Sequence, residues 1–177
     1  MSFELSPRTA RGEAVVMAAS SLVETLAQRA QAADAANEMS RENFDDLIAS
    51  GVASAFVPEE LGGLGLESIH DWILTITTLA RGDASTAIAI NMHLAVGRGI
   101  VQAYSDAKAR LGAGHETTKG LAQALGKLVS GEMLVCATAT EPGTDNLHPL
   151  TEAVRDGDSD DSGWRIHGRK NFVTLTP

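Results

Sequence analysis

Between Asp83 and Tyr104 the chain carries Ala87, Ile88, Ala89, Ile90, Met92, Leu94, Ala95, Val96 and Ile100, with Arg98 the one formal charge among them. Asp83 stands where an N-cap belongs, and no proline interrupts the residues after it. The stretch therefore predicts a helix that is apolar almost all round. Such a helix has no face to offer water, so it is predicted at the centre of a bundle, wrapped by others. That demand sets the architecture: the rest of the chain must supply covering helices.

Candidates for the cover lie on both sides. Val15, Ala19, Leu22, Leu26 and Ala30 form one narrow stripe at helical spacing, within a first helix expected from Pro7 to Asn37. Ser40 is the expected N-cap of a short second helix, Arg41 to Ser50, with Gly51 as its stop. A loop follows, broken by Pro58 and by glycines 62, 63 and 65. Ser68 and Asp71 resemble a capping pair for a third helix, whose stripe is Ile69, Trp72, Ile73, Ile76, Leu79 and Ala80. A fifth helix fits Thr118 to Val129.

The pattern then changes. "MLVCATAT", "EAVRDG", "WRIHG" and "NFVTLT" read as short strands, with "DGDSDDSG" as an acidic hairpin loop. The expected fold class is mainly α: an N-terminal orthogonal helical bundle over 1–131, followed by a partial antiparallel β domain over 132–177. Aromatic residues make up only 4% of the chain and alanine is abundant, which favours packed helices over a β-sandwich.

Composition removes several function classes. The net charge is -9 and the basic residues are not clustered, which argues against nucleic acid as a partner. One cysteine, Cys136, excludes an intrachain disulfide and suits a reducing cytoplasm. No apolar run is long enough to predict a membrane span, and no signal peptide is read at the N-terminus. His70, His93, His115, His148 and His167 stand at no metal-ligand spacing, so no metal site is expected. His93, inside the apolar helix, reads as a hydrogen-bonded core histidine. "GGLGLES" lacks the last glycine of a dinucleotide loop and reads as a tight turn. Cys136 reads as an inert buried thiol.

"TATEPG" is the one stretch with a chemical reading. Thr138 and Thr140 alternate with Ala137 and Ala139, so one side presents hydroxyls and the other methyls. Small residues leave room for a flat group beside the backbone. Strand-end amides with a hydroxyl suit the polar edge of a ring. On spacing alone an ordinary strand-to-turn junction is the commoner reading, and both stay open.

The order of motifs adds to this. "FVPEELGGLGLE", "RGDASTAIAINMH", "LVSGEMLVCATATEPG" and "WRIHGRKNFVT" occur in that order. Together they resemble the N-terminal half of the acyl-CoA dehydrogenase family. The resemblance implies an oxidoreductase of fatty-acid metabolism that binds FAD and an acyl-CoA-like substrate, homo-oligomeric in the complete protein. It implies cofactor-binding roles for Ala137, Thr138, Ala139, Thr140, Gly143, Phe172, Val173 and Thr174, with Thr144 as a substitute contact. Met92 and Leu94 are the implied substrate-pocket residues. The family's glutamate base comes from a C-terminal domain, so no catalytic residue is expected within 1–177, and the chain reads as part of a longer protein. The family's Ala-Gly-Ser-Asp after Glu-Pro-Gly is replaced by Thr144-Asp145-Asn146-Leu147-His148-Pro149. This leaves open a flavin-dependent monooxygenase or nitroalkane-oxidase-like enzyme of the same fold. A non-catalytic helical interaction module is the third expectation.

Overall fold

The computed structural model describes residues 5–159 and 162–175. The chain forms two compact units that divide between Val135 and Cys136. In the first, α1 (Ala10–Ala36), α2 (Arg41–Ala49), α3 (Ile69–Ala80) and α4 (Ala84–Leu111) share one buried cluster, and α4 shares a second with α5 (Glu116–Val129). Two turns of 3-10 helix, Val52–Ser54 and Glu59–Leu61, lie between α2 and α3. The second unit holds an antiparallel hairpin of β1 (Glu152–Arg155) and β2 (Trp164–His167), registered with Glu152 opposite His167 and Arg155 opposite Trp164. The expected mainly α class with a small antiparallel sheet is therefore present. Asp160 and Asp161 of the acidic hairpin loop lie outside the described residues.

The stripe of α1 meets α3, and α4 packs against both α3 and α5. Val15, Ala19, Leu26, Leu47, Leu79, Ala87, Ile90 and Leu94 are buried in one cluster. Full burial of a side chain as large as Leu or Ile is worth about 1.5–3 kcal/mol. The segment after α2 joins this core through the buried Val52, Ala53, Ala55 and Phe56, while Val57 is buried with Tyr104, Leu125 and Leu128. A loop can sit inside only if its backbone is satisfied. Here Ala55 N–H donates to Val52 O, Val57 N–H to Ser54 O, Leu66 N–H to Ala55 O and Gly65 N–H to Val57 O. Gly63 is required by contact, since a Cβ there would lie 2.1 Å from Val57 O. The glycine-rich stretch is thus a packed turn.

Several expectations are corrected. Helix α4 runs on to Leu111, because Ala107, Lys108, Ala109, Arg110 and Leu111 are good helix formers and Gly112 then ends the helix. Nor is α4 buried all round: Thr86, Ala87, Ile90, His93, Leu94 and Gly97 face inward, while Ile88 is 66% exposed. Helices α2, α3 and α5 and the Val52–Ser54 turn contact α4, and its other side leaves Ser85, Ile88, Asn91, Ala95 and Arg98 exposed. Ser40 occupies the N-cap position of α2 without a side-chain cap bond. Helix α5 begins at Glu116, its first turn capped by the His115 ring accepting from Thr117 N–H.

Asp71 is not half of a reciprocal capping box. Ser68 Oγ does accept from Asp71 N–H at 3.2 Å. The Asp71 carboxylate reaches α1 instead, accepting from Arg8 N–H, Thr9 N–H and Thr9 Oγ1 at 2.8, 3.2 and 2.8 Å. Thr9 Oγ1 in turn accepts from Gly12 N–H and caps α1. One buried acid therefore sits at the N-termini of two helices, where both dipoles favour negative charge. Burial pushes its pKa up, but hydrogen bonds from Arg8, Thr9 and Ser68, with nearby His70, outweigh that and hold it below the usual value.

"MLVCATAT" and "NFVTLT" form no strand among the described residues. A strand is defined by a neighbour along its length, and the only ladder among those residues pairs β1 with β2. Residues 133–140 and 171–173 run as irregular chain, with Phe172 and Leu175 at φ of +56° and +68°, and Thr176 lies outside the described residues.

Candidate flavin wall

The sequence-derived candidates of the second unit lie in two segments, 137–144 and 172–174. These are joined at one point: Asn171 N–H donates to Thr140 O at 2.9 Å, and Thr138 Oγ1 donates to Asn171 O at 3.4 Å. Thr138 and Thr140 are half-buried and Ala137 and Ala139 exposed, so the alternation of hydroxyls and methyls survives without a regular strand. Among the described residues, the N–H groups of Ala137, Thr138, Ala139 and Thr140 have no acceptor. Backbone donors of this kind require a partner, either water or a ligand edge. Small exposed side chains and a row of open amides suit the polar edge of a flat heteroaromatic ring.

Gly143 is exposed with φ +83°. Thr144 Oγ1 donates to His148 O at 2.6 Å. The Asp145 carboxylate accepts from Leu147 N–H, His148 N–H and the His148 ring at 2.8, 3.0 and 2.9 Å. Those contacts, the His148 ring first, hold its pKa below the usual carboxylate value. The segment after Glu-Pro-Gly is thus a turn closed on itself. Phe172 is 86% exposed, while Val173 and Thr174 are half-buried.

Residue-level reading missed Glu141 and Lys170. Glu141 is buried, and its carboxylate accepts from Lys170 Nζ and from the N–H groups of Leu150 and Thr151. Lys170 is the main cause of a pKa lowered from 4.5 to about 2; desolvation opposes it, and Thr151 and Leu150 add to the lowering. Both residues stand inside recognised motifs, Glu141 in "TEPG" and Lys170 in "GRKNFVT". No spacing rule connects positions so far apart in the chain, so only their presence in both motifs pointed to them.

The first unit holds the other two candidates. Leu94 is 2% exposed, within the core, and Met92 is half-buried. Residues two apart on a helix project about 200° apart, so these side chains do not share a face. His93 is a core histidine: its Nε2 bonds Ala53 O at 3.0 Å, and its Nδ1 accepts from Val135 N–H at 3.0 Å. Burial, against those two bonds, lowers its pKa. Cys136 is half-buried rather than buried. Among the described residues, no group of His, Cys, Asp or Glu could hold a metal ion, and no helix is long and apolar enough to cross a membrane.

The family model for the acyl-CoA dehydrogenase N-terminal domain matches residues 10–111. The chain belongs to the acyl-CoA dehydrogenase family. Among its curated relatives is L-evernosamine nitrososynthase from Micromonospora sp., 30% identical over 97% of this chain and 38% of the relative. The solved structure of KijD3 in complex with dTDP superposes with a TM-score of 0.79 at 28% identity, over 96% of this chain and 40% of that one. KijD3 has also been solved with FMN and dTDP-3-amino-2,3,6-trideoxy-4-keto-3-methyl-D-glucose, at a TM-score of 0.74 and 25% identity over 96% of this chain and 39% of that one. Butyryl-CoA dehydrogenase from Megasphaera elsdenii superposes at a TM-score of 0.66 and 26% identity, over 98% of this chain and 42% of that one. The chain spans about two fifths of the length of these proteins. One of the KijD3 structures holds FMN, a flavin.

Proposed function

We propose that this chain supplies the N-terminal helical domain, 1–131, and the beginning of the β domain, 132–177, of a flavin-dependent enzyme that oxygenates the amine of an amino-sugar nucleotide. The observation that carries this reading is the turn after Glu-Pro-Gly. The acyl-CoA dehydrogenase pattern has Gly-Ser-Asp there, whereas this chain closes Thr144 to Pro149 into a turn through Asp145 and the Thr144 hydroxyl. The match to L-evernosamine nitrososynthase extends over 97% of the chain, and the dTDP-bound KijD3 structure supports the same reading.

In this proposal the open amides of Ala137 to Thr140 bind the polar edge of the flavin ring. The small side chains of Ala137 and Ala139 admit its face. Phe172, Val173 and Thr174 form the adjoining wall, and Gly143 with Thr144 the rim. In the first unit, Met92 keeps the substrate-contact role that the family resemblance implies for it. When bound, the reduced flavin would supply the two-electron activation of dioxygen that amine oxygenation needs. No residue of the chain is assigned proton transfer. FAD is the form implied by the family resemblance and FMN the form in the KijD3 complex; chromatography of the cofactor released by denaturation tells them apart. A homo-oligomeric state and a cytoplasmic setting complete the proposal and are read by light scattering and cell fractionation.

The likeness to butyryl-CoA dehydrogenase favours a second reading, α,β-dehydrogenation of an acyl-CoA thioester. One experiment separates the two. The complete purified protein is loaded with flavin and mixed anaerobically with butyryl-CoA, then separately reduced and given oxygen with a dTDP-amino sugar. Oxygen-dependent loss of the amine without bleaching by the thioester is expected. Stoichiometric bleaching by the thioester would overturn the oxygenase reading.

A further inference from the structure

Among the described residues of the second unit, Glu141 is the only buried one. Apolar side chains that would normally form a core are outside: Val154 is 50% exposed, Trp164 60%, Ile166 73% and Phe172 86%. An ionised carboxylate survives burial only when its oxygens are matched by donors. Glu141 meets that condition through Lys170 Nζ, Leu150 N–H and Thr151 N–H, each of the charge-assisted kind. These donors come from separate segments: the approach to β1 and the stretch after β2.

The placement of this acid matters. Glu141 directly follows Thr140, and Lys170 directly precedes Asn171. Thr140 and Asn171 are the residues through which 137–140 and 172–174 meet. The ion pair is therefore one residue from that junction on both strands of chain. We propose that Glu141 and Lys170 are positioning residues, a clasp that sets the spacing between the open amides of 137–140 and the wall at 172–174. The proposal rests on the reading of that surface as a flavin wall.

Lys170→Met removes the charge, and Lys170→Arg keeps it. FMN and FAD are each titrated into the purified protein by quenching of flavin fluorescence, and amide exchange is followed in the flavin-free protein. Lys170→Met is expected to raise the flavin Kd at least tenfold and to speed exchange at Asn171, Leu150 and Thr151 about tenfold. Lys170→Arg is expected to hold both within threefold of the parent. Ellipticity at 222 nm reports the helices, which lie in the first unit, and is expected to be unchanged. Equal flavin binding by the parent and Lys170→Met, with unchanged exchange, overturns the clasp alone. Equal weakening by Met and Arg overturns the argument from charge. If the parent binds neither flavin while exchange still quickens in Lys170→Met, the flavin reading falls and the positioning role falls with it.

Discussion

Replacing Gly12 by alanine sets helix propensity against a single buried acid. Gly12 lies in the first turn of α1, where alanine would ordinarily gain about 1 kcal/mol. A Cβ at that position, however, would lie 2.0 Å from Asp71 Oδ2 and 2.3 Å from its Cγ. The carboxylate must move, and its bonds from Arg8 N–H, Thr9 N–H and Thr9 Oγ1 move with it. Hydrogen bonds to a charged group are worth about 1.5–3 kcal/mol each, so losing two costs roughly 3–6 kcal/mol. Against the propensity gain, the net loss is about 2–5 kcal/mol. Urea unfolding followed at 222 nm measures it. In an Asp71→Gly background the Oδ2, Cγ and Cβ that a Cβ at position 12 would meet are all removed, so the same Gly12→Ala change is expected to be neutral or stabilising by up to about 1 kcal/mol, a coupling that a double-mutant cycle isolates. Equal or greater stability of Gly12→Ala in the parent, or the same loss in both backgrounds, would refute the reasoning.

Other expectations are simpler. Leu79→Ala, at a fully buried core position, should cost about 2–5 kcal/mol in the same unfolding assay. His93 has a folded pKa below its ordinary 6.5, so the unfolded chain takes the proton first and stability should fall as pH drops below that value; His93→Gln should flatten the slope between pH 7 and 5. Glu141 is held at about 2 against 4.5, so its contribution is fully present above pH 4.5 and is lost as pH falls toward 2; protection of the Thr151 amide, taken relative to intrinsic exchange at each pH, should fall over that window, and far less so in Glu141→Gln. Phe172→Ala, at an exposed position, should change stability by less than about 0.5 kcal/mol while weakening flavin binding.

The helices were legible because their signals are local. The stripe Val15, Ala19 and Leu26 is buried as its spacing implies, Asp83 caps α4 by accepting from Ser85 N–H, and Gly51 turns left-handed after α2. The β region was less so. Apolar runs and strand-forming residues predicted strands at 133–140 and 171–176, but a strand needs a partner, and pairing is a property of two segments rather than one. The candidate wall was readable as motifs, while the pair that ties them, Glu141 with Lys170, has no local signature.

What the sequence determined by itself, then, is the set of helices and the inward stripe of α1, since periodicity and capping act within a few residues; on α3 the expected Ile69 and Ile73 are exposed, while Asp71, Thr75 and Thr78 are buried beside Leu79. Tertiary structure decided where the acids went. Asp71 looked like a cap for its own helix and instead holds the start of another, and Glu141 looked like a turn residue and is buried against donors from two other segments. Carboxylates accept donors from any direction, and which donors reach them depends on how distant elements pack, which no single stretch of chain encodes.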